Sequence, residues 1–192
     1  FYSAIMDRLE DEGEDTPSIL FLNAQNKQTI PDIVAPLRSL GVPCAGVVDI
    51  DILKGGGEWT RWLNACEVPT GLRTGFGVMR GDLNKAFSDQ GINMKTAGAS
   101  GLASSDEDAA QTLFRNLAKY GMFVCDVGEM ERWLAKEDVK GSKTDWTISI
   151  LDKLGISEGI PGHVSVTEHD VWGFVRNIRS WIQEGSRHGM PS

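Results

Sequence analysis

The chain of 192 residues has only three cysteines, and it has no long hydrophobic run. Cys44, Cys66 and Cys125 are odd in number, far apart in sequence and never in a CxxC pair. Neither a disulfide framework nor a cysteine zinc site is therefore indicated. We expect a reducing, cytoplasmic compartment.

Other classes are disfavoured by patterns that the sequence lacks. A membrane span needs about 18 consecutive apolar residues, and neither such a run nor a basic and then apolar leader is present, so no membrane partner is expected. No GxxxxGK[ST] or GxGxxG pattern occurs, which argues against ATP binding through a P-loop and against a dinucleotide fold.

Cationic side chains are also scarce. The 19 Lys and Arg residues stand against 27 Asp and Glu, for a net charge of −8. Nonspecific coating of nucleic acid is disfavoured, because that affinity comes from Lys and Arg neutralising phosphates. A local DNA site is compatible with this composition.

The sequence opens on Phe1 and carries an acidic run over residues 10–15. Acidic runs of this kind link domains. We expect a piece of a longer polypeptide, with residues 1–17 as a linker or helical lead-in from an N-terminal region.

Three short apolar runs predict strands, over Ser18–Asn23, Cys44–Val48 and Gly121–Cys125. A helix after Thr29 separates the first two, so we predict a βαβ unit and a parallel sheet. The fold class is then α/β, a short parallel sheet flanked by helices. We place the domain at 18–154, with a helical insertion at about 58–120, and a helical C-terminal extension at 155–192. Within the insertion we predict a helix over Leu83–Phe87 and a loop over Thr96–Ser105. After the third strand we predict a short helix over Gly128–Leu134 and a helix over Thr144–Leu154.

Polar side chains follow each predicted strand: Asn23 and Lys27, then Asp49 and Asp51, then Glu129 and Glu131. The carboxyl edge of an open parallel sheet is where ligands bind. In extended backbone Asp49 and Asp51 would point the same way. Two such carboxylates repel unless a cation lies between them, and Mg²⁺ or Mn²⁺ suits oxygen ligands. The alternative is that one aspartate caps the following turn and the other is solvated.

Four segments carry a resemblance to a known family: LFLNAQNKQTIP (20–31), LRSLGVP (37–43), VVDIDIL (47–53) and GEME (128–131). In this order they resemble the TOPRIM domain. More closely, they are similar to the C-terminal TOPRIM of the overcoming-lysogenization-defect (OLD) family of ATP-dependent nucleases, which includes antiphage defence proteins. The resemblance covers Ser18 to Leu134.

The resemblance implies a TOPRIM-like fold and metal-dependent hydrolysis of DNA phosphodiester bonds. Asp49, Asp51 and Glu131 would hold Mg²⁺ or Mn²⁺, with Glu129 as the alternative register. A catalytic lysine would be Lys143 or Lys140, with Lys140 also a DNA-binding candidate. The partners implied are DNA and an ATPase domain of the same longer chain, and homo-oligomerisation is left open.

The first family motif departs from the pattern. The family has a glutamate, a glycine and then an aspartate, where this chain has Asn23, Ala24 and Lys27. Because a two-metal mechanism needs anionic ligands on both cations, one metal site is expected and the second is in doubt. Lys27 would contact a phosphate directly, or it is a solvated surface lysine.

Three functional hypotheses follow. The first is a TOPRIM-like nuclease module, and the second is a degenerate TOPRIM acting as a regulatory or partner-binding module. The third is a phosphoacceptor domain, which Asn23 disfavours because that class also needs acids after its first strand.

Overall fold

The computed structural model describes residues 1–141 and 143–191. Over these residues the chain forms two β-strands and eight α-helices, together with short 3₁₀ segments. In chain order they are α1 (Tyr2–Asp11), α2 (Ile30–Ser39), β1 (Gly46–Asp49), α3 (Glu58–Ala65), α4 (Thr70–Asp89), α5 (Met94–Ala97), α6 (Ser104–Ala118), β2 (Met122–Cys125), α7 (Thr144–Leu154) and α8 (Asp170–Gln183). None of the described helices is long and apolar enough to cross a membrane.

The chain divides into two compact units. The first, called here the sheet unit, comprises Asn23–Met130 and Trp181–Ser192. The second, called the helical unit, comprises Phe1–Leu22 and Glu131–Ser180. The predicted domain limits at 17/18 and 154/155 stay a prediction.

The sheet unit contains a two-stranded parallel sheet. β1 pairs with β2 in a register that runs from Gly46 opposite Met122 to Asp49 opposite Cys125. All four residues of β2 are buried, as expected for a strand covered on both faces. Helices α3 to α6 lie between the two strands in sequence and form the connection that parallel strands require. The predicted mixed α/β class with a short parallel sheet is thus confirmed.

The Trp62 ring packs so closely against β1 that position 46 requires glycine. A Cβ atom on Gly46 would lie 2.1 Å from the Trp62 ring, and Trp62 is fully buried. Any larger residue at position 46 would push α3 away from β1. This contact positions α3 against β1.

The predicted strand over Ser18–Asn23 is wrong. Residues 14–24 have no regular secondary structure, and the side chains of Leu20 and Leu22 are 80% and 59% exposed. A strand needs a hydrogen-bonded neighbour, and within the described residues the sheet contains β1 and β2 alone. The βαβ unit predicted at this end of the chain therefore does not form, although its helix, α2, does.

Other predicted elements form with altered limits. The helix expected over Leu83–Phe87 is the last part of α4. The loop expected over Thr96–Ser105 contains the end of α5 and a 3₁₀ turn at Ala99–Gly101. The short helix expected over Gly128–Leu134 is reduced to a 3₁₀ turn at Met130–Arg132.

The helical unit packs aromatic side chains from distant parts of its sequence. The Trp133 indole N–H donates to the Tyr2 hydroxyl over 3.1 Å, and the Trp133 and Phe174 rings lie 5.2 Å apart. Glu14 accepts hydrogen bonds from both Arg176 and Arg179 on α8. These contacts tie the N-terminal segment to α8.

Candidate site at the carboxyl edge of the sheet

Asp49 and Asp51 lie where β1 ends, but they do not share one extended strand. Asp49 is the last residue of β1 and is exposed. The backbone then enters a 3₁₀ helix over Ile50–Leu53, which contains Asp51. The extended backbone on which a shared direction of the two carboxylates was predicted is therefore absent, because the 3₁₀ helix begins directly after Asp49.

The Asp51 carboxylate lies between two lysine ammonium groups. Lys27 Nζ is 3.0 Å from Asp51 Oδ1, and Lys95 Nζ is 3.8 Å from Asp51 Oδ2. The Asp51 side chain is only 18% exposed. Each carboxylate oxygen thus faces a cation that belongs to the chain itself.

The position of Lys27 is set by the turn in which it lies. The Trp62 indole N–H donates to the Lys27 carbonyl over 3.3 Å. The Asn26 side chain accepts the main-chain N–H groups of Gln28 and Thr29 at 3.0 and 3.1 Å. Asn23 is used in the same way, since its side chain accepts the Gln25 N–H at 2.8 Å. Asn23 therefore stabilises the turn that presents Lys27.

The start of α3 adds a further anchor for this turn. The Gln28 side chain donates to Glu58 Oε1 over 3.2 Å. The Glu58 carboxylate also accepts a hydrogen bond from its own main-chain N–H, and these two bonds lower the pKa of Glu58. The helix N-terminus is thus occupied by a carboxylate of the chain.

Lys95 and Glu129 are held together by main-chain contacts. The Glu129 N–H donates to the Lys95 carbonyl over 2.9 Å, and Gly128 between the strand and Glu129 has φ of 112°. A Cβ at Gly128 would lie 2.2 Å from the Lys95 carbonyl oxygen, so only glycine permits this approach. The Lys95 ammonium then reaches Glu129 Oε1 at 3.4 Å.

The remaining candidate residues belong to the helical unit. Glu131 Oε1 accepts the main-chain N–H of Lys143 over 2.9 Å, so these two candidates are in contact through the Lys143 backbone. The Lys140 ammonium pairs with the Asp138 carboxylate, and both side chains are highly exposed. The structure thus brings together Lys27, Asp51, Lys95 and Glu129, the last of which was the alternative register to Glu131.

The residues around Asp51 do not fit a divalent cation. A dication bound to Asp51 would lie beside two ammonium groups, and like charges a few ångströms apart repel strongly in a partly buried site. In the described ranges, no group of three or more His, Cys, Asp and Glu side chains is arranged to hold a metal ion. Lys27, Asp51, Lys95 and Glu129 form a network of two cations and two anions.

The fold and the site define a mixed α/β chain whose sheet edge carries two lysines and two carboxylates in one network. Comparison with protein-family models, with curated proteins and with solved structures gave no match for this chain. Sequence reasoning missed Lys95, which precedes a predicted loop. The one sequence signal that a helix begins beside Lys95 is Asn93, a residue type that favours the N-cap position. In the structure its side chain caps α5 by accepting the Lys95 N–H.

Proposed function

We propose that the sheet unit is a TOPRIM-like module of an OLD-type ATPase that does not cleave DNA and acts as a regulatory or partner-binding module. The observation that carries this proposal is the ion pair between Lys27 and Asp51. The resemblance implies a carboxylate at position 27, and this chain has a cation there. The substitution reverses the charge that faces Asp51.

The charge reversal matters because metal-dependent hydrolysis needs open anionic ligands around the ions. Here the network contains two cations, Lys27 and Lys95, and two anions, Asp51 and Glu129. Asp51 already has counter-ions of its own. Asp51 and Glu129 are therefore better suited to a surface that binds a partner than to the binding of a catalytic divalent metal ion.

A second candidate function is the metal-dependent DNA endonuclease that the resemblance implies, which would act in antiphage defence. One observation favours it: Asp49 is exposed at the end of β1, two residues before Asp51 and at the same edge as Glu129. In this alternative, as the resemblance implies, Asp49, Asp51 and Glu131 would hold Mg²⁺ or Mn²⁺. Lys143 would be the catalytic lysine, and Lys27 and Lys140 would contact DNA.

Plasmid cleavage by the full-length protein separates the two functions. Supercoiled plasmid is incubated with Mg²⁺ or Mn²⁺ and with the wild type, Asp49→Ala or a matched control, Asp89→Ala. Asp89 is an exposed carboxylate on α4 that pairs with Lys85. We expect no nicking above the buffer control for any of the three proteins.

Nicking by the wild type and by Asp89→Ala, with loss in Asp49→Ala, would establish the endonuclease instead. A regulatory role has its own readout, the rate of ATP hydrolysis by the full-length protein. We expect that rate to change when Lys27 and Lys95 are both replaced by glutamine. Replacement of Lys85 by glutamine should leave it unchanged.

A further inference from the structure

We infer that Lys27 and Lys95 are permanent counter-ions of the sheet edge, so that their ammonium groups neutralise Asp51 and Glu129 in place of a divalent cation. This inference rests on the proposed function and specifies how the module dispenses with metal. It assigns a role to Lys95, a residue outside every motif of the sequence.

The two ammonium groups together contact the carboxylate oxygens that one bridging cation would bind. Lys27 Nζ contacts Asp51 Oδ1 at 3.0 Å and lies 3.5 Å from the Asp51 carbonyl oxygen. Lys95 Nζ lies 3.8 Å from Asp51 Oδ2 and 3.4 Å from Glu129 Oε1. Lys95 thus joins two carboxylates, as a metal ion between them would.

The burial of this network separates it from ordinary surface ion pairs. The side chains of Lys27 and Lys95 are 30% and 37% exposed. In the pair of Lys85 with Asp89, by comparison, the side chains are 75% and 59% exposed. Charges that are partly withdrawn from water interact more strongly and are screened less by salt.

The main chain fixes both lysines. The Lys27 carbonyl accepts the Trp62 indole N–H, and the Lys95 carbonyl accepts the Glu129 N–H. These hydrogen bonds fix the main-chain position of each lysine, so its side chain places the ammonium group near the carboxylate. Removal of both ammonium groups would leave Asp51 and Glu129 close together without counter-ions, and such carboxylates attract a divalent cation.

A titration with Mn²⁺ tests this inference. Calorimetry is performed on the wild type, on Asp51→Asn, on Lys27→Gln/Lys95→Gln, on that double variant with Asp51→Asn, and on the control Lys85→Gln. We expect the double variant to bind one Mn²⁺ at least tenfold more tightly than the wild type and the control. Addition of Asp51→Asn should abolish that gain.

Two results would overturn the inference. One is a wild type that binds Mn²⁺ as tightly as the double variant and loses it with Asp51→Asn. The other is a folded double variant, with the wild-type circular dichroism spectrum, that gains no Asp51-dependent Mn²⁺ binding. If the double variant does not fold, Lys95→Gln alone decides, because it retains the Lys27 pair and should still gain measurable affinity.

The outcome is separable from that of the proposed function. Plasmid cleavage by a wild type that binds no Mn²⁺ at Asp51 would contradict the non-cleaving module and leave the counter-ion role intact. A protein that does not cleave, and whose folded double variant gains no Mn²⁺ site, would contradict the counter-ion role alone.

Discussion

Lys27 Nζ lies 3.0 Å from Asp51 Oδ1, across 24 positions of sequence. This pair sets the chemistry of the sheet edge, because it places a cation where the family resemblance implies an acid. Lys95 completes the arrangement at the second oxygen of Asp51. Both carboxylate oxygens of Asp51 are therefore paired with cations of the chain itself.

A first prediction concerns Glu131, which accepts the Lys143 main-chain N–H over 2.9 Å. Glu131→Gln keeps an acceptor oxygen, so the free energy of unfolding in Mg²⁺ buffer should stay within about 0.5 kcal/mol of the wild type. Glu131→Ala loses the hydrogen bond and should cost about 1 kcal/mol. Urea denaturation measures both. Equal losses for Gln and Ala would point to a carboxylate that binds a cation.

A second prediction concerns Arg38, the fully buried cation of the sheet unit. Its guanidinium donates to the carbonyls of Cys44, Tyr120 and Gly189 at 2.8, 3.0 and 2.6 Å. Burial lowers the pKa of Arg38, yet the group holds three chain segments together. Arg38→Met leaves these carbonyls without their donor and should lower the free energy of unfolding by about 3 kcal/mol.

The matched control for Arg38 is Arg61→Met, since Arg61 forms an exposed ion pair with Asp32. Its effect in the same urea denaturation should not exceed about 0.5 kcal/mol. If both variants lose the same stability, the three carbonyl contacts do not hold the C-terminal segment in the sheet unit.

A third prediction concerns the glycines of α4. A Cβ at Gly75, Gly77 or Gly81 would meet no atom within 4 Å, and all three lie inside the helix. Each Gly→Ala substitution should raise the free energy of unfolding by roughly 0.5–1 kcal/mol, because alanine loses less backbone entropy in a helix. Thermal denaturation measures the gain.

Gly46→Ala is the contrasting variant, since its Cβ would lie 2.1 Å from the Trp62 ring. It should lower the melting temperature, whereas the α4 variants raise it. A loss of stability in all the α4 variants would show that this helix requires glycine at these positions.

A fourth prediction concerns the pH dependence of the helical unit. The hydrogen bond from Arg176, together with that from Arg179, holds the pKa of Glu14 below its usual value. A depressed folded-state pKa adds stability above the unfolded-state pKa, and that stability is lost as the pH falls through the folded-state value. Because the Glu14 side chain is 24% exposed, Glu14→Gln should cost about 1 kcal/mol at pH 7 after solvent screening.

The measurement is thermal unfolding of the wild type and Glu14→Gln from pH 7 to acidic pH. The difference in stability between them should shrink below the unfolded-state pKa and vanish at lower pH. A difference that stays constant over the whole range would mean that the glutamine perturbs packing and that the carboxylate charge is unimportant.

Much of the fold could be predicted from the sequence where the pattern was long or well bounded. The helix predicted over Thr144–Leu154 forms with those limits, and the strand predicted from Gly121 forms over Met122–Cys125. The apolar run at Ser18 was indistinguishable from these strands by local pattern. Its state depends on whether a neighbouring strand exists to pair with it, which is a property of the tertiary fold.

The candidate site was predictable only in part for the same reason. The positions of Asp49 and Asp51 at a strand end followed from the pattern, but the 3₁₀ helix that contains Asp51 and excludes Asp49 did not. Lys95 has no sequence signature as a partner of Asp51. It reaches that carboxylate because α5 hydrogen-bonds to the segment after β2, a contact between residues far apart in sequence.

A crystal structure of the wild type grown in Mn²⁺, with anomalous data collected at the manganese edge, shows whether Lys27 or a metal ion neutralises Asp51. We expect no anomalous peak bonded to the Asp51 oxygens, and we expect Lys27 Nζ within hydrogen-bond distance of Oδ1. A peak bonded to both Asp49 and Asp51, with Lys27 displaced from the carboxylate, would contradict this expectation.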